Sequence, residues 1–290
     1  MSTVEILIDE RFELGESPVW DESNNRLLWA DIPACTIHGI DVATRKRSLW
    51  RFDAPVGSFV PRRGNWIVSV GRDVVIFDPA NGKSTRLAEV DRNPVTRLND
   101  GKVGLDGAFW VGSIDDRGRN REPIGVLYRV TADGRVERKL DGLLISNGLA
   151  WSPDGRTMYH ADSWPLHLDA WDFEPIRGTI SNRRRLRTFT MEEGRPDGAA
   201  MDVAGFYWTA GITAQCVNRI GPDGSIVEKI AIPAASPTMP CFGGLDMRDL
   251  FTTSSASLGT PELRARYPMT GGVFRVRLDV AGSPVALFAD

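Results

Sequence analysis

The chain of 290 residues carries 38 acidic and 35 basic side chains, a formal net charge of −3, with 9 Trp but only 3 His and 3 Cys. That balance offers nucleic acid no concentrated basic surface, no run reaches the roughly 18 apolar residues of a membrane span, and the acidic stretch from Met1 to Glu10 lacks the pattern of a secretory leader. Cys35, Cys216 and Cys241 are odd in number and far apart, His38, His160 and His167 are isolated, and the serine-hydrolase, P-loop and dinucleotide motifs are absent, so a cytoplasmic protein working through carboxylates, amides and arginines is expected.

Along the chain, short runs rich in aromatic and β-branched residues alternate with Gly-containing turns. Glu16-Ser-Pro-Val-Trp20 through Asp31 superimposes without a gap on Asn147 through Asp162, matching Trp20 to Trp151 and Asp31 to Asp162. Asn99 through Gly112 and Asp197 through Ala210 repeat the same hairpin form, and weaker copies run from Gly64 to Val70 and from Phe242 to Thr253. Strand-like runs follow most copies, such as Ile37 to Asp41, Val126 to Val130 and Gly272 to Val276.

Six units of about 40–50 residues with about four strands each predict an all-β chain, a six-bladed β-propeller forming one domain over residues 1–290. Trp29, Trp66, Trp110, Tyr159 and Trp208 then read as packing between blades. The basic run from Asn182 to Arg187 reads as a solvated strand edge, and only Glu262 to Tyr267 suggests a helical turn.

The inner strand of each propeller blade lines the central channel. The superposition sets Glu16, Asn99, Asn147 and Asp197 at one equivalent position in four blades, converging on a single opening. Two carboxylates and two amides form an all-oxygen cage suited to a divalent cation such as Ca²⁺, Mg²⁺ or Mn²⁺, which can polarise a carbonyl and acidify water without serine or histidine. Arg97, two residues before Asn99, points to the same opening and suits a substrate carbonyl or hydroxyl. Trp164 and Met239 are further candidates to line the opening from loops.

Glu16-Ser-Pro-Val-Trp20, Arg97-Leu-Asn99-Asp-Gly-Lys-Val103, Ser146-Asn147-Gly-Leu-Ala-Trp-Ser-Pro-Asp-Gly155, Pro196-Asp197-Gly198 and Cys241-Phe-Gly-Gly244 together resemble the motif set of the family of senescence marker protein (regucalcin), gluconolactonase and luciferin-regenerating enzyme. The resemblance is nearest to bacterial sugar-acid lactonases. It implies one divalent metal (Ca, Mg, Mn or Zn) on Glu16, Asn147 and Asp197, a sugar lactone contacted by Arg97 and Asn99, and Asp197 as the base that activates water. The implied reaction opens an aldono-1,4- or 1,5-lactone, such as glucono-, xylono- or arabinonolactone, to its aldonic acid. Alternatives are a calcium-binding regulatory propeller without turnover and a metal-dependent esterase on non-sugar esters. Ser17 replaces the family's usual glycine after the glutamate, and Ser113-Ile114 stands where Thr-Met is common. The acidic substrate contact of some members falls among Asp115, Asp116 and Glu122. No membrane or nucleic-acid partner is expected, and the chain reads as a monomer or weak homo-oligomer.

Overall fold

A computed structural model describes residues 3–62, 64–118 and 120–289. Its strands form six four-stranded antiparallel sheets. The inner strands Gly15–Asp21, Val56–Pro61, Thr96–Val103, Ser146–Trp151, Pro196–Met201 and Pro237–Gly243 open blades 1 to 6. Each inner strand neighbours the next, and the strand of blade 6 returns to that of blade 1, so the chain is the expected six-bladed propeller.

The seam is a feature the repeats do not announce. Blade 6 takes its outermost strand from the other end of the chain: Val4–Ile8 pairs with Val273–Arg277, with Val4 opposite Val276 and Ile6 opposite Phe274. Closure in this way holds together the faces of the first and last blades, which an open array would leave exposed.

Between blades lie six apolar clusters, each built from two neighbours. Leu28, Ala30 and Ile37 of blade 1 pack on Phe59, Trp66 and Val68 of blade 2. At the seam, Leu7, Ile8 and Phe251 meet Trp20, Leu27 and Trp29. Trp29, Trp110 and Trp208 are wholly buried, with Trp66 and Tyr159 nearly so, as their place in the repeat predicts. The run from Asn182 to Arg187 lies on the exposed outer strand of blade 4, where Arg183 and Arg185 pair with Asp169 and Arg184 with Asp172. The helical turn spans Pro261–Arg266, begun by the Thr260 side chain accepting the Leu263 N–H.

All six inner strands share one irregularity. In each, the register with the second strand shifts at the same depth, setting two residues against one between Glu16 and Val19, Val56 and Phe59, Leu98 and Gly101, Asn147 and Ala150, Pro196 and Ala199, and Pro237 and Pro240. Such bulges re-aim side chains at the end of a strand. At the far end of the channel, the segment 281–289 straps across from blade 5 to blade 3: the Val203 N–H donates to Ala281 O, the Ser283 N–H to Met201 O and the Ala289 N–H to Gly107 O.

Candidate active site

At the end of the channel where the inner strands begin, one pocket is lined by Glu16, Arg97, Asn99, Asn147 and Asp197 together. All five residues singled out in the sequence therefore meet, from blades 1, 3, 4 and 5. Their equivalence is looser than the superposition implies. Glu16 and Asn147 are the last paired residues before the bulge, whereas Asn99 and Asp197 are the first residues inside it.

Hydrogen bonds hold the amides in fixed orientations. Asn99 Nδ2 donates to Ser146 O and to Asn147 Oδ1, both at 3.0 Å, while its own oxygen accepts from Arg97 at 2.8 Å. Asn147 Nδ2 donates to Ser163 Oγ at 2.8 Å and to the Asp197 carboxylate. Arg97 also donates to Asp116 Oδ1 at 3.1 Å and to Leu98 O at 3.0 Å. Of the three acidic candidates in the following loop, Asp116 is thus the one beside Arg97. Asp115 is buried and held by Arg117 and by the Glu122 N–H, and Glu122 is exposed and paired with Arg117 at 3.3 Å.

The carboxylates are strongly perturbed. Burial, then the charge of Asp197, raises the Glu16 carboxyl well above the usual range, against a 3.0 Å bond from the Ser17 N–H. Burial pushes Asp197 up to about 7, with Arg195 opposing and Asp100 reinforcing. Asp100, the second bulge residue of blade 3, is itself buried beneath them and accepts the Leu149 N–H at 3.2 Å. Two desolvated carboxyls, Glu16 raised further by the charge of Asp197, are what a divalent cation would relieve. The donor set of Glu16, Asp197 and Asn147 fits such an ion by oxygen chemistry, although among the described residues no cluster of three or more His, Cys, Asp or Glu is formed.

Ser17 has φ = 48°, in the left-handed region that favours glycine, so the backbone that the family's glycine implies is kept. Its hydroxyl accepts from the Phe59 N–H at 3.4 Å.

Two lining residues were not found in the sequence: Arg121 and Arg195. Arg195 stands two residues before Asp197, as Arg97 stands two before Asn99, so the same spacing rule picks it out. Arg121 had no such signal, since only the fold of its loop returns it to the pocket. Trp164 is half-exposed and lies against the Arg195 guanidinium, 5.6 Å from ring centre to the guanidinium carbon, rather than lining the pocket itself.

The expectation for Met239 is corrected. It is buried and lines a larger cavity of about 340 Å³ at the opposite end of the channel, because it is the second residue of the blade 6 bulge, one place beyond the position that Asn99 and Asp197 hold in theirs. That cavity is mainly apolar, floored by the 281–289 strap. The smaller pocket is the candidate site because polar side chains from four blades converge there. Cys241 also borders the far cavity, its thiol pushed up to about 12 by burial and so inert. His38, His160 and His167 line neither cavity.

Comparisons with known proteins follow this geometry. The model of the "SMP-30/Gluconolactonase/LRE-like region" matches residues 14–256. A 6-deoxy-6-sulfogluconolactonase of Pseudomonas putida is 36% identical, with 99% of each chain covered, and regucalcin of Danio rerio is 35% identical over 97% of this chain and 96% of its own. Among solved structures, a luciferin-regenerating enzyme superimposes with a TM-score of 0.91 at 28% identity, covering 99% of this chain and 100% of its own. The calcium-binding regucalcin of Agrobacterium tumefaciens reaches 0.94 at 23% identity, covering 100% and 98%, and supports the fold. The chain belongs to the SMP-30/gluconolactonase/LRE-like family.

Proposed function

We propose that the protein is a metal-dependent lactonase that opens a sugar-acid lactone to the free aldonic acid. The observation that carries this reading is the convergence of a buried and a half-buried carboxylate, two oriented amides and an arginine on one pocket at the channel end. Lactonase names among the relatives agree with it.

Glu16, Asn147 and Asp197 are the residues that would hold a divalent cation, Ca²⁺, Mg²⁺, Mn²⁺ or Zn²⁺. When bound, such an ion supplies Lewis-acid polarisation of the lactone carbonyl and lowers the pKa of water. Asp197 takes the proton from the attacking water, its carboxylate steadied by the Asn147 amide. Arg97 and Asn99 orient ring hydroxyls, Asn99 through its carbonyl oxygen: Arg97 is anchored through Asp116 and Asn99, so its fork is already oriented before substrate arrives. Aliphatic walls such as Ile114, Ile145 and Leu258 exclude bulk water around the reacting bond.

The test is acid release from a panel of aldono-1,4- and 1,5-lactones in weak buffer, before and after chelation, with aryl esters alongside. Asp197→Asn is expected to lower kcat on the order of a thousandfold or more with the fold intact by circular dichroism. Lactonase activity surviving in that variant, or metal binding with no turnover of any lactone or ester, refutes the reading; the second outcome leaves a calcium-binding propeller.

A further inference from the structure

Three arginines face the pocket, and the lactonase chemistry uses one of them. Arg97 spends its Nε on Asp116 and one terminal nitrogen on Asn99 and Leu98 O, which leaves its other terminal nitrogen for the lactone. Arg121 spends only its Nε, on Asp115 O at 2.9 Å, which leaves the two terminal nitrogens of its fork without a protein acceptor among the described residues. Arg195 makes no side-chain hydrogen bond or ion pair among the described residues. Its Nε is buried without an acceptor, and its guanidinium is held against Trp164.

Leaving guanidinium forks unpaired at a partly buried wall costs stability, the more so because the two charges repel. Burial pushes Arg121 down, the charge of Asp116 opposes that and the charge of Arg195 adds to it, so the two arginines lie close enough to feel one another. Charge makes the same point. Among the described residues Glu16 and Asp197 are the only carboxylates lining the pocket, facing Arg97, Arg121 and Arg195; Asp116, outside the lining, pairs with Arg97 and also acts on Arg121. A divalent cation on the two carboxylates would consume the charge that Asp197 offers Arg195 and leave Arg121 chiefly Asp116, which Arg97 already engages. Hydroxyl groups of a neutral sugar accept hydrogen bonds but cannot neutralise two cations. A sulfonate, phosphate ester or carboxylate can, and its several oxygens match paired forks.

We propose that Arg121 and Arg195 form an anion subsite, and that the substrate is a sugar lactone carrying a fixed anionic group in addition to the carboxylate released on ring opening. Trp164 sets the Arg195 plane, and the Asp115 carbonyl sets that of Arg121. Both residues are specificity determinants rather than catalytic residues. The inference deepens the lactonase reading and rests on it for the reaction, though not for the binding of the anion.

Two measurements test it. The first compares kcat/KM for glucono-1,5-lactone with that for the same lactone bearing a 6-phosphate or 6-sulfonate, and with a 6-carboxylate aldarolactone, corrected for spontaneous opening. The protein is expected to prefer at least one anionic lactone over the neutral one by about tenfold or more, and the best of the three identifies the anion. Arg195→Gln and Arg121→Gln should each lower that ratio about tenfold, with Arg195→Lys retaining part of it. A ratio of one or below, or variants that slow both lactones equally, overturns the proposal.

The second measurement is calorimetric binding of 6-phosphogluconate and of gluconate, which needs no turnover. Tighter binding of the phosphorylated acid, lost in Arg121→Gln and Arg195→Gln, supports the subsite even where no lactone is opened and the lactonase reading has failed. Equal affinity for the two acids shows that the arginines serve only the carboxylate common to both, and overturns the subsite even where lactones are opened.

Discussion

Blades 1 and 4 are built on one frame and filled differently. Gly15 pairs with Asp31 as Ser146 pairs with Asp162, Glu16 with Ala30 as Asn147 with Ala161, and Trp20 with Leu27 as Trp151 with Met158. Asp31 accepts the N–H groups of Glu13 and Leu14 at 3.1 and 3.0 Å, and Asp162 those of Leu144 and Ile145 at 3.0 and 2.8 Å. The aspartates thus pin the incoming loops in the same way, which is why a carboxylate in one blade and an amide in the other reach the same pocket. What differs is set by the neighbouring blade. Gly148 and Ser17 both occupy the left-handed first bulge position, with φ of 63° and 48°. Over Gly148 stands Tyr207 of blade 5, whose hydroxyl donates to Gly148 O at 2.8 Å, whereas Ser17 meets only a backbone N–H of blade 2. The repeat therefore copies hydrogen-bond geometry and leaves side-chain volume to each interface.

Gly148→Ala breaks that difference most severely. A β-carbon there would lie 2.3 Å from Tyr207 Oη and 2.9 Å from Ala161 Cβ, on top of the left-handed penalty. The expected loss is about 4 kcal/mol, a fall in Tm on the order of 10 °C by calorimetry. Ser17→Ala, the matching change in blade 1, should cost well under 1 kcal/mol. Equal losses would show that packing by the next blade is not what separates the two positions.

A second contrast lies one strand out, where Trp29 and His160 occupy the same position. Trp29 packs on the rings of Phe12 and His38, while His160 is buried against Ser146 Oγ at 2.8 Å. Burial lowers His160 to about 4, so the folded protein binds fewer protons than the unfolded chain between pH 6.5 and 4. Stability from this group is intact above pH 6.5 and falls as the pH drops through that window, by on the order of 3 kcal/mol at pH 4. His160→Gln should flatten this part of the profile in urea melts at stepped pH. An unchanged slope would assign the acid loss to the carboxylates instead.

Smallest is Ser17→Gly, which relieves the left-handed strain and loses one long hydrogen bond. A gain below about 1 kcal/mol, read as a rise in Tm of about 2 °C, is expected. A loss would mean that the Ser17 hydroxyl contributes more than its 3.4 Å geometry suggests.

Much of this was legible in the residues because blades repeat. The gapless match of Glu16 to Asp31 with Asn147 to Asp162 is reproduced pair for pair in the sheets. Glu16, Arg97, Asn99, Asn147 and Asp197 were found because polar residues stand where a packed strand would carry apolar ones. The bulge stayed hidden, since an extra residue in a strand leaves no compositional mark, and it displaces Asn99 and Asp197 by one place from strict equivalence. Met239 was misplaced for the same reason: position along the inner strand, rather than proximity to Gly-rich turns, decides which channel end a side chain faces. Arg121 was invisible because its position depends on how the loop after Asp115 folds. The seam strand Val4–Ile8 was missed because it has no companion strands beside it in sequence.

That seam orders the assembly of the protein in time. Val4 finds Val276 only after nearly the whole chain is available, so this pairing joins the most distant segments, and such contacts make folding slow. Until it forms, Trp20, Leu27 and Phe251 at the junction of blades 6 and 1 remain uncovered. Glu16 belongs to blade 1 and Asp197 to blade 5, so an open ring keeps the two carboxylates apart. The pocket therefore depends on the closed ring that the seam strand completes.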